Sequence, residues 1–222
     1  MYVVTKDGRL RSISSSDAET RWTARVSVNI KAGSAPRAAV GRGRLIVGSV
    51  DGNVVAVDTH DGREAWSLRN QGTKLIQPAV SGTTVYLNGS SLAARRISDG
   101  EEVWSATSLG DTGSAERWGP PTVAGDAVYA AHGNQLRRLS RKDGSKVWEG
   151  RKRGRTDSPI VVQGAGVWWR HDIYAELNAL GKDSGRLGWT YGMEAEDHGS
   201  IAADGNRVFV VNGSSLIALP VF

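Results

Sequence analysis

Three of the four histidines, His132, His171 and His198, fall in polar turns or connecting segments, where neutral imidazoles could hold a transition metal or a polar ligand. They come from three successive stretches of chain with no short ligand spacing between them, and His60 stands apart, so ordinary turn residues account for them equally well. Arg151-Lys152-Arg153-Gly154-Arg155 is a concentrated basic run that could meet a phosphate or an acidic partner. Glu194, Glu196 and Asp197 occupy the corresponding segment of the next stretch and can neutralise it. No aromatic ladder accompanies the run, and a nucleic-acid interface is not expected. Asp7, Asp51 and Asp172 recur in turns, where converging carbonyls would suit calcium, although turn formation alone explains the residue type. Trp118, beside Gly119-Pro120-Pro121, could line a ligand or partner surface or pack internally. There is no phosphate-cradling glycine loop, no G-x-S-x-G and no H-E-x-x-H, and with zero cysteines no thiolate site or disulfide can form.

The elements that must position these residues follow from a repeat. Trp22, Trp66, Trp104, Trp148 and Trp189 are 44, 38, 44 and 41 residues apart. Four residues before them stand Ala18, Gly62, Gly100, Gly144 and Gly185, preceded by Asp17, Asp61, Asp99, Asp143 and Ser184. Asp-Gly supplies the positive φ of a tight turn, so each Trp ends a strand that returns from such a turn. Upstream, alternating segments such as Leu45–Gly48 and Asn53–Asp58 flank a second hairpin, and Pro78–Val80, Pro121–Val123, Pro159–Val162 and Ser200–Ala203 each add a strand ahead of it. Four short antiparallel strands in about 42 residues, with no helical periodicity, describe β-propeller blades. Strand alternation puts the hairpin turns and the inter-blade connections on one loop face, with His132, His171, His198 and the basic run, and the Asp-Gly turns on the other. Trp168 and Trp169 alternate on one strand, so one should enter the core and the other an exposed or inter-blade position.

Ala56-Val57-Asp58-Thr59-His60-Asp61-Gly62-Arg63-Glu64-Ala65-Trp66 resembles the A-x-D-x-x-T-G-x-x-x-W tryptophan-docking motif of PQQ-like, or quinoprotein-type, β-propellers. Ala94 and Ala179 keep its first position, and Arg138 departs from it. The resemblance implies an all-β propeller in which Trp22, Trp66, Trp104, Trp148 and Trp189 dock on the motif glycines of neighbouring blades, with Gly62, Gly100, Gly144 and Gly185 as the girdle. It covers nearly the whole chain as one domain, residues 1–222, in repeats of roughly 1–30, 31–70, 71–110, 111–152, 153–194 and 195–222. Four units are complete. The first begins in its second strand and the last stops after its third, which suggests part of a longer propeller, with a six-bladed ring as the alternative.

Two kinds of function follow from the resemblance. In the first, the propeller is non-catalytic and binds a protein partner or small ligand on its loop face, at Trp118, His132, Arg151, Arg153, Arg155, His171 and His198. Such a module could be a sensor joined to an upstream bacterial serine/threonine kinase domain or an envelope assembly scaffold, with no resident cofactor or metal and no membrane insertion. In the second it is a fragment of a PQQ- and calcium-dependent dehydrogenase, which requires carboxylates for calcium and basic groups for the quinone. No signal peptide opens this sequence, so an extracytoplasmic site would need an upstream segment, and a cytoplasmic one would not.

Overall fold

In the computed structural model, the described residues are 1–5, 7–27, 30, 37–49, 51–69, 76–107, 117–151, 160–171, 176–193, 201–212 and 214–221, with Arg37 and His171 described by backbone alone. Their regular structure is entirely β. In chain order the strands are β1 (Tyr2–Val4), β2 (Arg9–Ile13), β3 (Thr20–Arg25), β4 (Arg37–Gly41), β5 (Arg44–Gly48), β6 (Val54–Asp58), β7 (Glu64–Leu68), β8 (Ala79–Ser81), β9 (Thr84–Leu87), β10 (Ser91–Arg96) and β11 (Glu102–Thr107). They continue with β12 (Thr122–Ala124), β13 (Ala127–His132), β14 (Gln135–Ser140), β15 (Lys146–Arg151), β16 (Val161–Gln163), β17 (Gly166–His171), β18 (Glu176–Gly181), β19 (Leu187–Gly192), β20 (Ile201–Asp204), β21 (Arg207–Asn212) and β22 (Ser215–Pro220). Each strand pairs with its chain neighbour to give six antiparallel sheets: β1–β3, β4–β7, β8–β11, β12–β15, β16–β19 and β20–β22. These are propeller blades, four complete and two of three strands. The chain forms two compact units, Met1–Arg117 and Trp118–Phe222.

Within each unit the blades stack face to face, which is why their middle strands read as continuous apolar runs rather than alternating ones. In β5, Leu45 and Val47 join Leu10 and Trp22 of the first blade, whereas Ile46 joins Val85, Leu87 and Ile97 of the third. The same logic governs Trp168 and Trp169. Sequence alternation placed one in the core and the other in an exposed or inter-blade position; the exposed option falls, since both are buried between blades, Trp169 with Tyr129, Leu136 and Trp148, and Trp168 with Val208, Val210 and Trp189. A strand with a blade on either side has two interior faces.

The turn before Trp66, Trp104 and Trp148 is fixed by an aspartate, and before Trp189 Ser184 takes that place. The Asp61, Asp99 and Asp143 carboxylates accept backbone N–H bonds from Arg63, Glu101 and Ser145 at 2.9, 3.0 and 3.1 Å. The bond from Glu101 N–H is the chief reason the Asp99 carboxyl lies below the ordinary aspartate range, and at Asp143 the Ser145 hydroxyl is the chief cause, followed by the Ser145 N–H. A bulge follows in every case, between Ser12 and Ile13, Ala56 and Val57, Ala94 and Arg95, Arg138 and Leu139, and Ala179 and Leu180. In the first blade Ala18 holds the turn at φ 60° without glycine. Left-handed backbone costs alanine about 1–2 kcal/mol, partly offset by its smaller unfolded-state entropy, so Ala18→Gly is expected to stabilise by about 0.5–1 kcal/mol in urea unfolding.

Candidate functional site

Two structural layers bear on function: the tryptophan contacts that join blades and the residues displayed at their ends. In the first, a Cβ built on Gly62 would stand 2.7 Å from Trp22, on Gly100 2.8 Å from Trp66, and on Gly185 2.6 Å from Trp148. Each indole is also tied down at its nitrogen. Trp22 Nε1–H donates to the Thr59 carbonyl at 3.0 Å, Trp66 to Ile97 at 3.0 Å and Trp148 to Lys182 at 2.8 Å. Trp104 is buried and Trp189 half-buried, and Gly144 has φ 74°.

The ladder explains the small residue at the start of the motif. It lies in a row between two large rings: Tyr2–Ser12–Trp22, Tyr86–Ala94–Trp104 and Trp168–Ala179–Trp189 are directly opposed across three strands. The outer rings meet over it with centroids 5.9, 5.9 and 5.6 Å apart. In the fourth blade the middle place belongs to Arg138, with Tyr129 and Trp148 6.0 Å apart around it. Its guanidinium reaches away, pairing with Asp126 and Asp183 at 3.2 Å each and donating to the Lys182 carbonyl at 3.4 Å. Arg138 thus ties the fourth blade to the fifth beside a cavity of about 440 Å³ that Tyr129, Gln163 and Lys182 also line. Burial pushes the Tyr129 hydroxyl up. The signal in the sequence was the departure from alanine, and its meaning depended on where Asp183 lay.

At the other end of the blades, Trp118 forms a bridge to His132, with ring centroids 4.7 Å apart, and Arg137 lies 5.4 Å above the indole. Trp118 and His132 are 2% and 1% exposed, so neither presents a surface to a partner. Packing decides the case for Trp118. The polar edge of this cluster is Gln135, Arg137, Lys146 and Glu149. Glu149 pairs with Arg137 at 3.3 Å and with Lys146 at 3.1 Å. Burial raises the Glu149 carboxyl, but the hydrogen bonds and positive charge of Lys146 and Arg137 outweigh it and leave the group below its ordinary range. Arg151 ends β15 and is exposed. Arg153, Arg155, His198 and Asp172 lie outside the described residues, as does the side chain of His171. Among the described residues no group of three or more histidine, aspartate or glutamate side chains is placed to hold a metal ion. Asp7 pairs with Arg9 at 2.8 Å, and its carboxyl is held below the ordinary range first by the Thr5 hydroxyl.

The first strand of each blade runs beside the first strand of the next within a unit, β4 by β8, β12 by β16 and β16 by β20. The approach is close: a Cβ on Gly41 would stand 2.5 Å from Val80. These strands carry small, apolar or uncharged side chains, with Arg37 and Asp204 the charged residues, both at strand ends.

A family model described as outer membrane protein assembly factor BamB, built on PQQ-like repeats, matches residues 1–136, 78–176 and 133–220. The chain belongs to this PQQ-like-repeat family. Within it, BamB of Yersinia pestis is 26% identical over 188 residues, covering 78% of this chain and 47% of that protein. BamB of Salmonella typhimurium is 25% identical over 235 residues, covering 96% of the chain and 58% of the relative. The chain therefore spans about half the length of the curated relatives it matches. Among solved structures, BamB from Moraxella catarrhalis superposes with TM-score 0.77 at 18% identity, over 97% of this chain and 68% of that one. A europium-containing methanol dehydrogenase superposes with TM-score 0.66 at 12% identity, over 86% and 48%. Both structural likenesses concern the fold, which this PQQ-like-repeat chain shares with BamB and with a dehydrogenase alike.

Proposed function

We propose that the chain is a non-catalytic PQQ-like-repeat propeller that acts as a scaffold for protein partners, in the manner the name of its relatives states for outer membrane protein assembly. The observation that carries this reading is the make-up of the first strands. A quinone with calcium needs several carboxylates and basic groups converging on one place. Across the described first strands β4, β8, β12, β16 and β20 the charged residues are Arg37 and Asp204, both at strand ends, and a donor set with one carboxylate and one base does not fit the cofactor. The strands are built for close packing of blade on blade. The loop face, with exposed Arg151 at the end of β15, is then the surface that meets a protein partner.

Titration with PQQ and calcium tests it, following quinone absorbance and dye-coupled alcohol oxidation in the same samples. Neither saturable binding nor turnover is expected. Stoichiometric quinone binding with alcohol oxidation would overturn the scaffold reading. A photo-crosslinking residue at Arg151 is expected to trap a protein partner in cells, and its failure to trap any would remove the loop face from the proposal.

A further inference from the structure

The end of the blades away from the loop face is made of two sets of turns, those between first and second strands and the Asp-Gly turns. In five blades the residue just after the third strand donates its N–H to a carbonyl of the first of these turns: Thr59 to Gly43, Ile97 to Thr83, Arg141 to Asp126, Lys182 to Ala165 and Val221 to Asn206, at 2.7–3.0 Å. The shared bond makes the five places equivalent. Three carry uncharged side chains, and the two cations fall in the fourth and fifth blades, which are neighbours within one compact unit.

Arg138 sends a third cation to the same place. Its guanidinium stands between two hollows, the cavity of about 440 Å³ against Tyr129, Val162, Gln163 and Lys182 and a second of about 480 Å³ against Ser140, Arg141, Lys142 and Val147, and Arg138 and Asp126 belong to the walls of both. Together they form one elongated cleft between the blades. Four cations line it, Arg138, Arg141, Lys142 and Lys182, against two carboxylates, Asp126 and Asp183. Asp143, next to Lys142, is turned into its own turn, where it accepts the Ser145 N–H and hydroxyl. Lys182 Nζ donates to the Gly164 carbonyl at 3.3 Å, which places the ammonium without cancelling its charge. At the same end of the second and third blades positive charge is met within the blade, Arg44 by Asp58 and Arg96 by Asp99 and Glu101.

The cation at the centre is held and its counter-ions are not. The Arg138 side chain is 15% exposed, its stem in the row between Tyr129 and Trp148, whereas Asp126 and Asp183 are 89% and 81% exposed. Ion pairs with carboxylates so far into solvent contribute little, and a ligand carboxylate can take their place on a guanidinium that loses little freedom in binding it. The same two aspartates select the ligand. A nucleic-acid strand, with a phosphate at every step, would bring charge against both, whereas a peptide can place carboxylates at the cations and uncharged residues against Val147 and Val162.

We propose that the cleft between the fourth and fifth blades is a binding site for an acidic segment of a separate polypeptide, with Arg138 taking a carboxylate at its centre and Lys142 and Lys182 attracting those to either side. The site lies at the opposite end of the blades from Arg151, so it goes beyond the loop-face reading and stands or falls separately from it.

The test uses the intact chain and fluorescently labelled hexaglutamate, followed by anisotropy at low ionic strength. Saturable binding with one peptide per chain is expected, weakened roughly tenfold by Arg138→Ala, which removes a charge-assisted hydrogen bond, and by a smaller factor by Lys142→Gln or Lys182→Gln. Alanine stands at the equivalent of Arg138 in three other blades, as Ala56, Ala94 and Ala179, so the variant should fold, as a urea midpoint checks. Lys142 is exposed, and its substitution keeps the test decisive should Arg138→Ala unfold. Arg151→Gln removes the same charge from the loop face and should change affinity less than about twofold. The proposal is overturned by absence of binding up to millimolar peptide, or by equal weakening in Lys142→Gln, Lys182→Gln and Arg151→Gln, which would show attraction to net charge alone. Displacement of the peptide by succinate or inorganic phosphate at the peptide's own half-saturating concentration would overturn it in favour of a small-anion site.

Discussion

Trp66→Ala is expected to destabilise the protein by about 3–5 kcal/mol, read as a lower urea midpoint. The size follows from three losses at one place. The side chain is 8% exposed and packs with Ile46, Ala56, Val85 and Leu87, so truncation opens a cavity between the second and third blades. The indole also lies against Gly100, whose missing Cβ leaves nothing to collapse into the space. Finally, the Ile97 carbonyl loses the N–H that bonds it at 3.0 Å. Trp66→Phe separates these contributions, because it keeps most of the ring and removes the donor. It is expected to cost about 1–3 kcal/mol, the penalty for a buried acceptor left unsatisfied. A midpoint unchanged by Trp66→Ala would show that this indole does not join the blades. Trp189, half-buried and stacked on Tyr191 at 5.6 Å, should cost less when truncated.

Much of this architecture could be read from the chain because its determinants are local. An Asp-Gly pair sets a turn wherever it stands, and the strands expected at Leu45–Gly48 and Asn53–Asp58 are β5 and β6 nearly residue for residue. What escaped reading depends on partners distant in sequence. Trp118 stood open between a partner surface and internal packing, and its bridge to His132, on a separate strand, is what buries both. Trp168 and Trp169 obey the two-residue period, yet alternation says which face a side chain takes and not whether that face is covered. Arg138 was visible as a break in a motif, but its pairing with Asp183 requires the fifth blade to be in place.

Gly62→Ala is the sharper probe of the docking contact, because it adds one methyl group and removes nothing. The backbone there has φ +76°, where any L side chain is strained by about 1–2 kcal/mol, and the new methyl would meet Trp22 at 2.7 Å. Relieving that overlap means displacing an indole anchored to the Thr59 carbonyl, an overpacking cost of about 1–3 kcal/mol. The single substitution is therefore expected to destabilise by about 2–5 kcal/mol, a substantial fraction of an ordinary domain's stability. The two causes can be told apart in a background of Trp22→Ala. With the indole gone the methyl has room, and Gly62→Ala should then cost only the backbone strain, about 1–2 kcal/mol. The difference between the two backgrounds is a coupling energy that measures the contact itself. If Gly62→Ala costs the same with and without Trp22, the glycine serves the turn alone, and the close approach of the indole contributes nothing to holding the first two blades together.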